Sequence, residues 1–234
     1  MSDPAAGGLL RLGMLPRVVG TVAALGLWFW TQSLIGSRAP SQGISDVLHN
    51  QFAGLNSYFG QHATAANALL MVSSGFIDLL GLFLVAEWIF LGRSRAFLGL
   101  VLLLGLRQVM QALCALPPPP NMIWRYPGFP SLLVTYSVGN DYFFSGHTAI
   151  AVFGAIELAR LRRRWLTAFA LTFVVFEVAT VLILRAHYTM DVFAGAVTAL
   201  WVAALCESSG PQMDRSLKGT KLKEEVLNRS SPLV

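Results

Sequence analysis

Charge is what this sequence has least of. Only 12% of its 234 residues are Asp, Glu, Lys or Arg, against about 25% in soluble globular chains. With 55% apolar residues and a mean hydropathy of +0.59, that scarcity excludes an ordinary water-soluble domain. Cysteine is scarce too. Cys114 and Cys206 stand far apart at the ends of different apolar runs, which gives neither a metal-ligand spacing nor a disulfide framework. No cluster offers three or four metal ligands of suitable type, so no metal and no other cofactor is expected. No repeat recurs at a fixed period. The net charge of +5 sits in short clusters between apolar runs, a pattern of membrane topology that excludes a nucleic-acid-binding face.

What the chain does have is long apolar runs. A helix that spans a bilayer needs about 20 mostly apolar residues. Six segments fit: 18–36, 65–91, 95–116, 143–160, 165–184 and 188–206. The expected fold is all-α and integral to the membrane, with six transmembrane helices. Residues 1–17 form a cytoplasmic segment, 18–206 the membrane domain, and 207–234 a polar tail of mixed charge expected to be disordered. The run from Val18 to Ile35 is long for the core of a cleaved leader and is read as helix one.

Lys and Arg in short connections set the orientation. Arg11 and Arg17 precede helix one, Arg93 and Arg95 separate helices two and three, and Arg160, Arg162, Arg163 and Arg164 separate four and five. Lys218, Lys221, Lys223 and Arg229 follow helix six. These connections belong together on the cytoplasmic side, with both termini. The other three hold only Arg38, Arg125 and Arg185.

Two polar clusters then meet at the opposite, exoplasmic face. One is Asp141 with Ser145-Gly146-His147-Thr148; the other is Arg185-Ala186-His187-Tyr188-Thr189-Met190-Asp191. His187 and Asp191 are four apart at a helix start, which puts both on one helical face. A carboxylate there can accept from one ring nitrogen and leave the other bare and nucleophilic; it can equally be a helix-entrance cap. Around His147, the amides of a helix start form an anion site, and Gly146 permits close approach to a phosphate. Asp141 or Ser145 can instead cap that helix. Ionisable residues inside the spans, Asp78, Glu87, Arg107, Glu157 and Glu177, each cost about 2.5–3.5 kcal/mol at a helix centre. Each therefore needs a partner or a wet cavity. Arg107 falls in the outer half of its helix, as a phosphate ligand or as a partner of Asp78 or Glu177, and Arg185 is close enough to His187 to fork onto a phosphate. In the loop 117–140, Trp124, Tyr126, Phe129 and Tyr136 are interfacial anchors or a face for a quaternary ammonium. His49 and His62 lack such neighbours and receive no role.

At these residues the chain resembles the sphingomyelin synthase-related lipid phosphotransferases of the type 2 phosphatidic acid phosphatase superfamily. Asp141, Ser145, Gly146, His147 and Thr148 match one motif of that group; His187, Tyr188, Thr189, Asp191 and Val192 match another. Arg107, ten residues before Pro117 in a Leu-Pro-x-Pro run, is the third match. The run Arg185 to Thr189 also looks like that of plant phosphatidylcholine:diacylglycerol cholinephosphotransferases. The chain departs from the wider phosphatases, since Val181 stands where their arginine precedes the nucleophilic histidine.

The resemblance implies a headgroup transferase. Its partners would be a phospholipid donor and a lipid alcohol, diacylglycerol or ceramide, and phosphocholine would be the group moved. His187, Asp191, His147 and Asp141 would carry the catalysis. Arg107, Arg185, Ser145, Gly146 and Thr148 would bind phosphate. Two other readings stand beside it: hydrolysis by a lipid phosphatase or phospholipase C, and a lipid-binding scaffold without chemistry.

Overall fold

The computed structural model describes residues 26, 30, 43–114, 116–134, 136 and 142–230, with side chains described as far as Gly210. The chain divides into two units, Met1–Ser45 and Asp46–Val234, and the second holds the helical bundle. The expected segment 1–17, and all of the expected span 18–36 except Gly26 and Trp30, lie outside the described residues.

The second unit is helical: α1 Val47–Gln51, α2 Ala53–Gln61, α3 Ala63–Leu91, α4 Ser94–Leu113, α5 Gly146–Ala159, α6 Arg164–Ile183 and α7 Thr189–Ser230. Four of these are long and apolar enough to cross a membrane: α3, α4, α6 and the Thr189–Gly210 part of α7. The runs expected at 65–91, 95–116, 165–184 and 188–206 are thus present with small shifts at their ends. The run expected at 143–160 is different. It is a 14-residue helix, about 21 Å long at 1.5 Å per residue, short of the roughly 30 Å hydrocarbon layer. Ser145 starts it late by capping Thr148, and the chain turns out of it at Arg160–Arg162, with Arg162 left-handed at φ 55. The backbone of α7 runs on through 211–230, where composition predicts a disordered tail; Leu, Met, Lys and Glu there are strong helix formers.

Helix α5 is the centre of the bundle and packs against α3, α4, α6 and α7. Its Ile150, Ala151 and Phe153 join Leu84, Leu103, Phe173 and Val202 in one buried core. Large apolar side chains face outward instead on α3, α6 and α7, among them Leu79, Phe90, Val175 and Phe193. That is the arrangement of a bundle whose surroundings are hydrocarbon. α7 comes unusually near the start of α5, because a Cβ on Gly195 would lie 2.6 Å from the Ser145 carbonyl oxygen.

At the basic end of the bundle the carboxylates in the spans are paired. Glu87 accepts from Arg93 at 2.7 Å, and Glu157 takes Arg95 and lies 3.7 Å from Arg160. At the other end, the connection between α4 and α5 folds back onto the helices. Asp78 accepts from the Ser131 hydroxyl and from the amides of Leu132 and Leu133, each at 2.9 Å. Ser73 donates to Glu177 at 2.8 Å. The proline run contributes acceptors: the Pro117 carbonyl takes the Tyr188 hydroxyl at 3.3 Å, and that of Pro120 takes Arg185 at 2.9 Å. Four consecutive prolines have no amide donors to satisfy, so their carbonyls are free to tie this connection to the α6–α7 turn.

Candidate active site

The α6–α7 turn is built around a strained residue. Helix α6 ends at Ile183, and the Ala186 amide bonds back to the Val181 carbonyl at 2.8 Å. This closure needs a left-handed residue, usually glycine, and here Arg185 takes it at φ 54. The guanidinium of Arg185 helps hold that conformation, donating to the carbonyls of Pro120 and His49, each at 2.9 Å.

Two residues on, His187 is 5% exposed. Its Nδ1–H donates to the Tyr142 carbonyl at 2.8 Å, so Nε2 is the bare nitrogen of the neutral ring. Burial, and then the positive charges that His147 and Arg107 can carry, push its pKa down to about 3, against the opposing pull of the Tyr142 bond. The ring is neutral at pH 7. Asp191 does not set this tautomer. Its Oδ2 stands 3.9 Å from Nδ1, too far for a hydrogen bond, and accepts instead from the Tyr188 amide at 2.9 Å. The pairing expected from the four-residue spacing is replaced by a backbone carbonyl from another element, and Asp191 caps its own helix.

His147 occupies the first turn of α5. Ser145 caps that turn, accepting from the Thr148 amide at 3.3 Å and the Thr148 hydroxyl at 3.1 Å. The Ser145 amide donates to the Asp191 carbonyl at 3.1 Å, which ties the two helix starts together. The His147 ring stands edge-on to Trp124, 5.1 Å between centroids. Its Nε2 is buried without a hydrogen-bond partner among the described residues.

His147 and His187 line one cavity of about 40 Å³ with Arg107, Gly146, Trp124 and Tyr142. Ile77, Leu104, Leu133, Val134, Ile150 and Ala186 complete an apolar wall. A water needs roughly 10–15 Å³ on this measure, so the space suits a few waters or one tetrahedral anion. Arg107 donates from Nε to the Phe144 carbonyl at 3.2 Å. Gly146 makes room for it, since a Cβ there would come within 2.9 Å of Arg107 Nε.

Of the residues expected at the site, His187, His147, Arg107 and Gly146 are therefore brought together. Ser145 and Thr148 bond to each other in the α5 cap and are fully buried, and neither lines the cavity. Arg185 likewise serves backbone carbonyls and borders a different depression, lined by Asn56 and Ile123. Asp141 lies outside the described residues. Sequence reasoning missed Tyr142 as the acceptor that sets the His187 tautomer, and gave no role to the stretch around Asp46 and His49. An Asp followed by an amphipathic turn is a helix-cap signal, but a five-residue helix is too short to read from periodicity.

A sequence model of the family described as AtPDCT1/2 matches residues 46–208, a stretch that contains every residue lining the cavity. The chain is similar to phosphatidylcholine:diacylglycerol cholinephosphotransferase 1 of Arabidopsis thaliana, with 23% identity over 166 residues. The match covers 71% of this chain and 54% of that relative, so the chain spans about half the length of the curated protein it matches. No solved structure matches.

Proposed function

The chain belongs to the AtPDCT1/2 family, and on that premise we propose that it transfers a phosphocholine-type headgroup from a phospholipid to a lipid alcohol within the membrane. The observation that carries the reading is the cavity itself: two histidines and an arginine around a space of about 40 Å³, with one histidine held neutral and its Nδ1 committed to a carbonyl.

In the first step Nε2 of His187 attacks the phosphorus of the donor. The new P–N bond forms as the P–O bond to diacylglycerol breaks. His147, which burial and then Arg107 keep neutral at rest, takes up a proton as the phosphodiester anion enters and gives it to the departing oxygen. The phosphodiester anion and Arg107 share the cavity, so the guanidinium offsets charge gathering on the phosphoryl oxygens. In the second step the acceptor hydroxyl gives its proton to His147 while its oxygen attacks the same phosphorus. The P–N bond breaks, and both histidines return to their starting states. One phosphodiester replaces another, so the exchange is close to thermoneutral. An apolar wall that keeps water scarce favours an alcohol as acceptor.

Trp124 lines the cavity, and Tyr136 lies 5.3 Å from it and 6.2 Å from Tyr126, ring to ring. Such a wall attracts a quaternary ammonium, which supports choline as the headgroup. Hydrolysis is the second reading, because the same cavity admits water. The distribution of Lys and Arg among the connections supports a site at the exoplasmic face.

Purified protein incubated with headgroup-labelled phosphatidylcholine, with and without diacylglycerol or ceramide, tests the reading. Labelled product that appears only with an alcohol supports transfer. Free phosphocholine formed at the same rate without one identifies a hydrolase, and unchanged lipid in every mixture identifies a scaffold.

A further inference from the structure

The turn that carries His187 is gripped by a short element that the proposed chemistry does not use. Helix α1 has five residues. Asp46 caps it, Oδ1 accepting from the amides of Leu48 at 3.0 Å and His49 at 3.3 Å. The same carboxylate reaches the start of α7: Oδ2 accepts from the Thr189 amide at 2.6 Å, and Oδ1 from the Thr189 hydroxyl at 2.7 Å. One side chain, only 6% exposed, therefore holds the starts of two helices, with Thr189 lying 143 positions away.

His49 adds a second grip. Its Nε2–H donates to the His187 carbonyl at 2.9 Å, its ring stacks on Tyr188 at 5.6 Å, and its own carbonyl accepts from Arg185. Arg185, His187, Tyr188 and Thr189 thus each meet α1 or its cap. A cap needed only to start α7 would stop at Thr189. The contacts here extend to both sides of His187 and to its own carbonyl.

We propose that Asp46 is a positioning residue for headgroup transfer, holding the α6–α7 turn through Thr189 and His49 so that the His187 ring meets both Tyr142 and the cavity. This rests on the reading of His187 as the nucleophile. The mechanical argument is one of register. The turn already contains a left-handed Arg185, and relaxing it would swing the imidazole away from the Tyr142 carbonyl, losing the tautomer and the line of attack together. Burial alone would raise the Asp46 pKa, but the two bonds from Thr189, the positive charge that His49 can carry and the His49 amide outweigh it and leave the carboxyl below its ordinary value. The clasp is therefore charged at neutral pH.

The test uses the full chain and five variants: Asp46→Asn, Thr189→Ala, Thr189→Ser, the Asp46→Asn/Thr189→Ala double variant and, as reference, His187→Ala. Kinetic constants for phosphatidylcholine-to-diacylglycerol transfer are measured beside thermal unfolding. Asp46→Asn is expected to lower kcat about 100-fold, the scale of an ångström of misplacement. KM should stay within about twofold, because substrate contacts are untouched. Thr189→Ser keeps the hydroxyl and should retain kcat; Thr189→Ala should lose part of it, and the Asp46→Asn/Thr189→Ala double variant should be no worse than Asp46→Asn. The serine–alanine pair decides the matter if the Asp46 variant does not fold. Equal kcat for Thr189→Ala, Thr189→Ser and wild type, or a loss in Asp46→Asn that only tracks its loss of folded protein, overturns the positioning role. If that happens while His187→Ala is inactive, only this inference fails. If His187→Ala transfers at the wild-type rate, the nucleophile reading falls first.

Discussion

The two helix starts that present His147 and His187 to the cavity are built on opposite plans. That of α5 is capped locally, with Ser145 accepting from Thr148 three residues away, and its one long-range backbone tie among the described residues runs from the Ser145 amide to the Asp191 carbonyl. That of α7 is assembled from afar. Asp46 caps it across 143 positions, Tyr142 sets the His187 tautomer across 45, and Arg185 is held in a left-handed conformation by two distant carbonyls. The difference follows from the work proposed for each. A proton carrier tolerates small displacements, whereas a nucleophile must lie in line with the bond it breaks. The long-range plan places the ring with more constraints than a local cap supplies.

The sharpest way to break this comparison is to remove each imidazole and offer two donors. His187→Ala is expected to lower transfer by on the order of 10⁴-fold, whatever the leaving group. His147→Ala should cost about 10²–10⁴-fold with phosphatidylcholine. Release of the leaving group should recover much of that with a phosphocholine ester of an acidic phenol, whose departure needs no proton, while the second step still lacks its base. Equal rescue of both variants, read as initial rates with the two donors, would erase the distinction between the two helix starts.

How much of the molecule was legible in the sequence divides along the same line. The spans α3, α4, α6 and α7 and the residues His147, Gly146, His187 and Arg107 come from local runs and short motifs, and the structure brings those four residues to one cavity. What failed depended on long-range geometry. The spacing of His187 and Asp191 is right for contact on a helix, but His187 precedes the first helical residue, Thr189, and its Nδ1 turns to Tyr142. Arg185 sits two residues from His187, yet its left-handed backbone directs it to Pro120 and His49. No local pattern encodes a contact between Asp46 and Thr189.

Between the two starts stands Gly195, where α7 touches the Ser145 carbonyl. Gly195→Leu should force them apart, with a loss of about 1–3 kcal/mol of stability and a larger fractional loss of kcat than of folded protein, measured by unfolding and initial rates on the same preparation. Ser145→Ala is the milder probe. It removes only the local cap, so about 1 kcal/mol of stability should go, with kcat changed less than about threefold.

The smallest effect expected is a flat line. In the His147→Ala protein with the activated donor, kcat/KM reports His187 alone. Because the folded His187 titrates near 3, kcat/KM should stay level from about pH 8 down to about pH 5. The stability sign is set by the same shift. Between the ordinary value of 6.5 and about 3, the unfolded chain binds a proton at His187 that the folded chain does not, so stability falls as pH drops through that window. His187→Ala should make that slope shallower in urea unfolding followed against pH.

The most direct measurement is to look for the covalent intermediate. Protein mixed with headgroup-labelled phosphatidylcholine in the absence of any lipid alcohol, quenched in alkali and mapped by peptide, should carry an acid-labile phosphocholine on His187. That label should vanish when diacylglycerol is added before the quench. Transfer that proceeds at the wild-type rate in His187→Ala, or a label found on another residue, would contradict the account.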